Sequence, residues 1–567
     1  DVNKKIGDTT AVRINALGFD GNVDKRDEVD NQNFSIAPSI GFGLGTDTRF
    51  YLYSQHVRQD NTPDGGIPTI GMNGFFNADA NLNAGRKVDR ENFYGSDNDY
   101  EKVNADMVTA KFEHDLTVNS TVRNISRYGR TNIDRVTTGM NTGATGLVAP
   151  SADPATWTVN RSRQRIDRDD EILVNQTSLN SIFDLGGFKN SFVGGLEFIY
   201  ENQKSKGFGT AAQTVNGVTY TAISNPVANL YNPDSNAVLG IPYAIPGLTT
   251  DGKTTTAAIY AFDTIDLNDQ WQVNAGLRYE HYNTKTTAGT IVTVANQAQF
   301  PGYAVGSIAP SGGSASDNLL SWKTGVLFKP AQNGSIYASY ATSYTPPGSA
   351  NFALTSTANN QNNGALDPQK TDNIEIGTKW DLLDNQLNVT AAIFRTENDK
   401  QTSFDDMLQP AQIGKTRVTG VELLAIGQLT EHWQLSAGVT KLNAKALDQQ
   451  SNVGLDTTAV RWTPDYSATL WTQYQFSNFT IGGGARYMGD QKRLVTTENA
   501  ATTNMPEIPS YVVADAMLAY AVNKNLNLRL NMYNIFDKEY IETLNNGGGR
   551  VRLGMPRSAM FTAEMMF

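Results

Sequence analysis

Cysteine is absent from the 567 residues, which removes disulfide frameworks and thiolate metal sites together. Histidine is nearly so: His56, His114, His281 and His432 stand far apart, none in a metal-ligand spacing, and each reads as an isolated solvated or interfacial side chain. Long apolar runs are missing too. Hydrophobic residues make up 39% of the chain at a mean hydropathy of -0.40, which leaves no candidate for a helix crossing a membrane. A basic excess is likewise lacking, and a formal net charge of -11 would repel a nucleic-acid backbone. Enzyme signatures fail in turn. There is no nucleophile elbow or metal-protease helix, and the glycine runs at Gly482–Gly484 and Gly547–Gly549 precede no helix that could cradle a phosphate. A hydrolase would need a Ser and His pair, and none is found.

What the chain has is glycine (50), tyrosine (23), phenylalanine (24) and a polar fraction rich in Asn and Thr, a composition for strands, turns and interfacial aromatic rings. The last residues set the pattern. Met565, Ala563, Phe561 and Ala559 alternate with Met566, Glu564, Thr562, Met560 and Ser558 before the terminal Phe567, so one face suits lipid and the other a wetter lumen. Trp271, Val273, Ala275, Leu277 and Tyr279 against Gln272, Asn274, Gly276, Arg278 and Glu280 repeat it, as do Leu526–Tyr533 and Trp433–Thr440. Short turns are expected at 45–47, 186–190, 268–270, 384–385 and 523–525. Long polar loops are expected near 59–99, 131–170, 205–252, 284–317, 346–369, 443–460 and 490–508. Tight turns at one end and long loops at the other point to an all-β fold, a large antiparallel transmembrane β-barrel of about 20 strands between Thr10 and Phe567. A stub at Asp1–Ile6 precedes them. All long loops should leave at the end opposite Phe567.

Ala37-Pro38-Ser39 with Gly43-Leu44-Gly45-Thr46, Val57-Arg58-Gln59-Asp60-Asn61 and Pro63-Asp64-Gly65-Gly66-Ile67-Pro68 begin a series of motifs. It continues through Tyr337–Tyr340, Tyr344-Thr345-Pro346, Leu366-Asp367-Pro368, Ile374–Trp380, Gly420–Leu423, Trp462-Thr463-Pro464, Asn534–Tyr540 and Pro556-Arg557. In their order and spacing, over nearly its whole length, the chain resembles the TonB-dependent outer-membrane receptors, most of all the catecholate-type ferric siderophore receptors. The resemblance implies a 22-stranded barrel in the outer membrane, plugged by an N-terminal domain. On this reading residues 1–567 are the barrel domain alone, trimmed of signal peptide, plug and first hairpin. The strand near Ala11–Phe19 should then share no hydrogen-bonded edge with the last strand. A plugless passive porin is the alternative.

The resemblance further implies active uptake of a ferric catecholate siderophore, energised through TonB by way of the plug. Iron is carried by the chelate, so no cofactor is expected. Outer-membrane lipid and lipopolysaccharide are expected partners, and a monomer the expected state. Haem or a hydroxamate siderophore is the other ligand reading, and the lack of paired histidines counts against haem. An anionic chelate with flat rings calls for Arg as planar donor and Tyr as stacking face. Candidates at the extracellular end of the lumen are Arg58, Arg127, Arg130, Arg278, Tyr344, Arg461 and Arg486. Arg278 and Arg486 share the phase of inward polar residues; the other five are placed by height, with a solvated loop or a lipopolysaccharide contact as the competing reading. The run Arg161–Asp170 mixes signs and reads as an exposed, self-compensated loop base or as a holder of phosphates or an anionic chelate.

Overall fold

Alternation of apolar and polar residues carries the backbone through a ladder of twenty-one strands in the computed structural model, which describes every residue except Ala144 and Ala350. The first eleven are β1 (Val2–Gly7), β2 (Thr10–Asn22), β3 (Asp30–Phe42), β4 (Thr48–Asn61), β5 (Tyr100–Thr117), β6 (Ser120–Asn141), β7 (Thr158–Leu185), β8 (Phe188–Gly209), β9 (Tyr243–Asp266), β10 (Trp271–Ile291) and β11 (Ile308–Ala331). The rest are β12 (Gly334–Thr345), β13 (Gln369–Leu382), β14 (Leu387–Phe404), β15 (Pro410–Thr430), β16 (Trp433–Leu447), β17 (Tyr466–Phe476), β18 (Phe479–Met488), β19 (Tyr511–Asn523), β20 (Leu526–Tyr533) and β21 (Ser558–Met565). Each pairs antiparallel with its successor. Among the described residues no helix is long and apolar enough to cross a membrane.

The register aligns the lipid-facing side. Trp433, Tyr474, Ile481, Leu518, Leu530 and Phe561 fall side by side from β16 to β21, and all six are exposed. Such a row is unfavourable against water, at about 25 cal/mol per Å², and is satisfied by hydrocarbon. Ring pairs Trp271–Phe328 and Phe479–Tyr520, each with centroids 4.6 Å apart, lie toward the short-turn end, as an aromatic girdle requires.

Short turns gather at one end, among them 43–47, 186–187, 267–270, 383–386 and 524–525. Gly186 and Gly187 both take positive φ (62° and 88°), the backbone a two-residue turn of this hand needs. The C-terminus is at that end too, where Asn525 donates to the Met566 carbonyl. Connections 62–99, 142–157, 210–242, 292–307, 346–368, 448–465, 489–510 and 534–557 all leave at the opposite end, as the sequence pattern predicts.

Several expected loops prove to be strand. β6 runs to Asn141 and β7 starts at Thr158, and β10 and β11 reach Ile291 and Ile308, so 131–170 and 284–317 are largely tall hairpins, while 205–252 is ladder strand only at its ends, up to Gly209 and from Tyr243, around the long connection 210–242. Above the bilayer both faces of a hairpin can be polar, and periodicity then gives no signal. The connection 534–557, not counted among the loops in the sequence, is a long one. The last strand and β2 do not pair: β2 bonds to β1 and β3, and β21 to β20. Their upper ends nonetheless line one cavity of about 550 Å³, which includes Phe19, Asn22, Tyr533, Ala559 and Met560, so the ladder curls into a barrel with a seam.

Candidate functional site

With lipid outside and a wide lumen inside, the barrel wall has little dry interior, and the largest apolar core lies in the extracellular loops. Ile67, Ile70, Leu82 and Tyr94 from 62–99 pack with Leu147 and Trp157 at the β6–β7 hairpin tip, Leu230 from 210–242, Met505 and Ile508 from 489–510, and Leu544 and Val551 from 534–557. Ile70, Leu230 and Met505 are fully buried. Polar ties cross the same loops. Arg493 donates to the carbonyls of Met505, Asn504 and Asn546 at 2.7, 2.6 and 3.0 Å, and burial pulls its pKa down. Arg26 grips Asp64 with two bonds of 3.0 and 2.7 Å, and Tyr94 donates to the Leu230 carbonyl at 2.6 Å. The loops thus form one packed cap.

A buried ion pair fixes that cap to the wall. Arg163 stands 3.1 Å from Asp99, both side chains at 0% exposure, and Asp99 also accepts from the Thr138 backbone and hydroxyl at 3.0 and 2.9 Å. Burial holds the Asp99 carboxyl above its ordinary value even with this guanidinium beside it. Arg161 and Arg163 are each only 5% exposed, which corrects the reading of Arg161–Asp170 as an exposed loop base. The segment is strand: residues 96–99 and 225–239 cover Arg161 and Arg163 at its start, while Asp167 and Asp169 further along pair with Lys206 and Arg130.

The seven candidate positions separate. Arg58 and Arg130 have the phase of Phe50, Leu52, Val108 and Tyr128, so they lie on the outer wall and not in the lumen, where they pair with Asp106 and Asp169 at 2.9 Å. Height alone misplaces them, since strand phase reverses at every residue. Arg278 does point inward, but between Glu197 and Glu280, each at 2.7 Å; the barrel itself supplies the acceptors. Tyr344 packs beside the small cluster of Tyr282, Ala315, Leu319 and Leu354. Arg461 sits in the loop 448–465 and donates to the Arg493 carbonyl at 3.0 Å. Arg127 faces inward and bonds only the Thr109 hydroxyl, at 3.0 Å.

Arg486 is the open one. Its side chain is 57% exposed, and its ion pair to Asp515 spans 3.7 Å. Its guanidinium is within electrostatic reach of Tyr511 and Tyr540, whose rings pack against each other with centroids 4.4 Å apart and planes tilted by 30°. Tyr540 comes from the cap, and Gly554 leaves it room, because any Cβ there would strike the ring. Neither tyrosine stands out in the sequence; Tyr540 ends the Asn534–Tyr540 motif, and Tyr511 opens a strand. Gly482 and Gly484 below Arg486 have a plain packing role, since the Trp471 side chain occupies the space of their missing side chains.

A large antiparallel barrel with a lipid-facing apolar band, short turns below and a packed loop cap above a polar lumen is an outer-membrane transport barrel. Residues 35–535 match the family model of the TonB dependent receptor-like β-barrel, and the chain belongs to that family. The catecholate siderophore receptor Fiu of Escherichia coli K12 is 39% identical over all of this chain and 74% of its own length. A probable TonB-dependent siderophore receptor, PiuA of Acinetobacter baumannii, is 32% identical over 95% of this chain and 71% of its own. The closed-form crystal structure of Fiu superposes with a TM-score of 0.91 at 38% identity, covering 100% of this chain and 79% of that one.

Proposed function

We propose that the protein takes up a ferric siderophore of the catecholate type across the outer membrane, in a step energised through TonB. The observation that carries this reading is the open Arg486 beside the packed Tyr511–Tyr540 pair beneath the loop cap. A guanidinium with spare donors suits the negative charge of a tris-catecholate iron complex, and tyrosine faces suit its rings. Arg127 is a second inward cation with donors to spare. Family membership supports the coupling to TonB, and the names of Fiu and PiuA support the ligand class. Iron travels inside the chelate, and the protein's work is to bind it, hold it against leakage and release it inward. Among the described residues there is no cluster of His, Cys, Asp and Glu suited to a metal ion.

The test is iron uptake by a receptor-deleted strain carrying this protein, with catecholate, hydroxamate and haem sources, with and without TonB. Uptake from the catecholate alone and only with TonB is the expected result. Uptake from hydroxamate or haem instead would overturn the ligand, and solute entry independent of TonB would point to a passive pore. Arg486→Ala should weaken ferric-catecholate binding by roughly ten- to a hundredfold, the loss of a charged hydrogen bond worth about 1.5 to 3 kcal/mol. Unchanged binding in a folded barrel would remove Arg486 from the site.

A further inference from the structure

On β6 and β7 the lipid-facing wall carries side chains that hydrocarbon cannot satisfy. Read upward from the turn at 118–119, its outward rows there are Val122 with Leu179, Asn124 with Thr177, Ser126 with Asn175, and Tyr128 with Leu173. Arg130 then pairs with Asp169 at headgroup height. The two middle rows are therefore polar, with an apolar row on either side. Opposite them stand Phe112 and Ala110 on β5, and Leu196 and Phe198 on β8. Phe112, Leu196, Phe198, Tyr128 and Leu173 are all exposed, in the phase of the lipid band. On β10 the same stretch reads Val273, Ala275, Leu277 and Tyr279, with no polar row between.

The four polar side chains bond to one another but not fully. Asn124 donates to the Thr177 hydroxyl at 2.7 Å, Asn175 to the Ser126 hydroxyl at 2.8 Å, and Ser126 to the Asn124 side-chain oxygen at 3.2 Å. The Thr177 hydroxyl has no acceptor for its own hydrogen among the described residues, and the Asn175 side-chain oxygen receives one long bond, 3.4 Å from Asn124. Water would complete both, whereas in hydrocarbon each is costly, and polar groups held there are characteristically met by another spanning protein surface. The chemistry of such a partner is narrow. It must offer a donor and an acceptor together at this depth, which an acyl chain cannot do. A second copy of the chain carries the same unused donor and acceptor at the same depth, because both copies cross the membrane in one orientation. A two-fold axis along the membrane normal then brings the patch onto itself, and the small Ala110 and Ser126 beside the amides let the two walls approach closely.

We propose that two copies of this barrel associate side by side in the membrane through the outward faces of β5 to β8. Asn124, Ser126, Asn175 and Thr177 hydrogen-bond across the two-fold axis, and the aromatic and aliphatic side chains around them close the contact against lipid. The inference rests on the position of the barrel in the membrane and not on the identity of the transported ligand.

The test uses the full chain folded into phospholipid vesicles, where the lack of cysteine makes single thiols informative. Ser126→Cys, oxidised with copper phenanthroline, should yield a disulfide-linked dimer on gels. Leu277→Cys, on the outward face of β10, should yield roughly tenfold less. Adding Asn175→Leu and Thr177→Val to Ser126→Cys should cut the crosslink roughly fivefold, the scale of hydrogen bonds between spanning segments. Thr177→Val alone, which keeps the shape of the side chain, should already lower it. Without the thiol, the Asn175→Leu, Thr177→Val variant should sediment as a monomer in density-matched detergent where the parent sediments as a dimer. It should still fold into vesicles, since apolar side chains suit lipid better than the groups they replace. Equal crosslinking at Ser126→Cys and Leu277→Cys, a crosslink that survives both Thr177→Val and the combined substitution, or a parent that sediments as a monomer would each overturn the proposal.

Discussion

Single residues matter here according to whether their charge has company. Asp99 and Arg163 are wholly buried and complete each other, so removing one strands the other. Asp99→Ala should destabilise the cap by about 3 to 5 kcal/mol, seen as faster hydrogen exchange in 62–99 and 210–242 with the barrel strands unchanged. Replacing both members by neutral residues of similar size should recover most of the loss, because the desolvation cost disappears with the charges. Unchanged exchange in Asp99→Ala would show that the apolar core alone holds the loops. Arg278 is the inward counterpart. Its phase was legible from Gln272 to Glu280, but its cage was not, since Glu197 lies on β8, 81 positions away in the chain.

Among the elements, the connection 346–368 stands apart from the main cap. It is held to the inner wall by Leu354 in the notch of Tyr282, Ala315 and Leu319, and by Thr286, which donates to the Phe352 carbonyl and accepts from the Leu354 amide, both at 2.8 Å. Gly252 on β9 lets it approach, because a Cβ there would collide with the Phe352 carbonyl. Gly252→Val should therefore lift this segment without unfolding the barrel. Limited proteolysis should cut within 346–368 several times faster than in the parent, and an unchanged cleavage rate would count against this anchoring. The sequence marks the segment as a loop through Pro346, Pro347 and its run of Asn; where it docks is decided by β9 and β10.

For the whole molecule, stability depends on the surrounding solvent being lipid. Leu277 is 57% exposed in the middle of the outward face of β10, a position that only hydrocarbon can satisfy. Leu277→Arg should cost about 2 to 4 kcal/mol in bilayers, measured as the shift in the urea midpoint of folding into vesicles, whereas Asn283→Arg, higher on the same face, should cost little. Equal costs would misplace the membrane band.

Alternation in the sequence determined that the chain is a barrel, how many strands it has, and which end carries the long loops, because period-two contrast between lipid and water is written locally in each strand. The tall hairpins of β6 to β11 escaped it where both faces meet water or loop. Tertiary structure alone decided which arginines are free. Arg58 and Arg130 turned outward by strand phase, Arg278 was taken up by carboxylates from its own and a distant strand, and Arg486 was left open beside a tyrosine pair brought together from β19 and the cap. An ionic partner is a matter of a few ångströms between segments far apart in the chain, and local pattern carries no record of that distance.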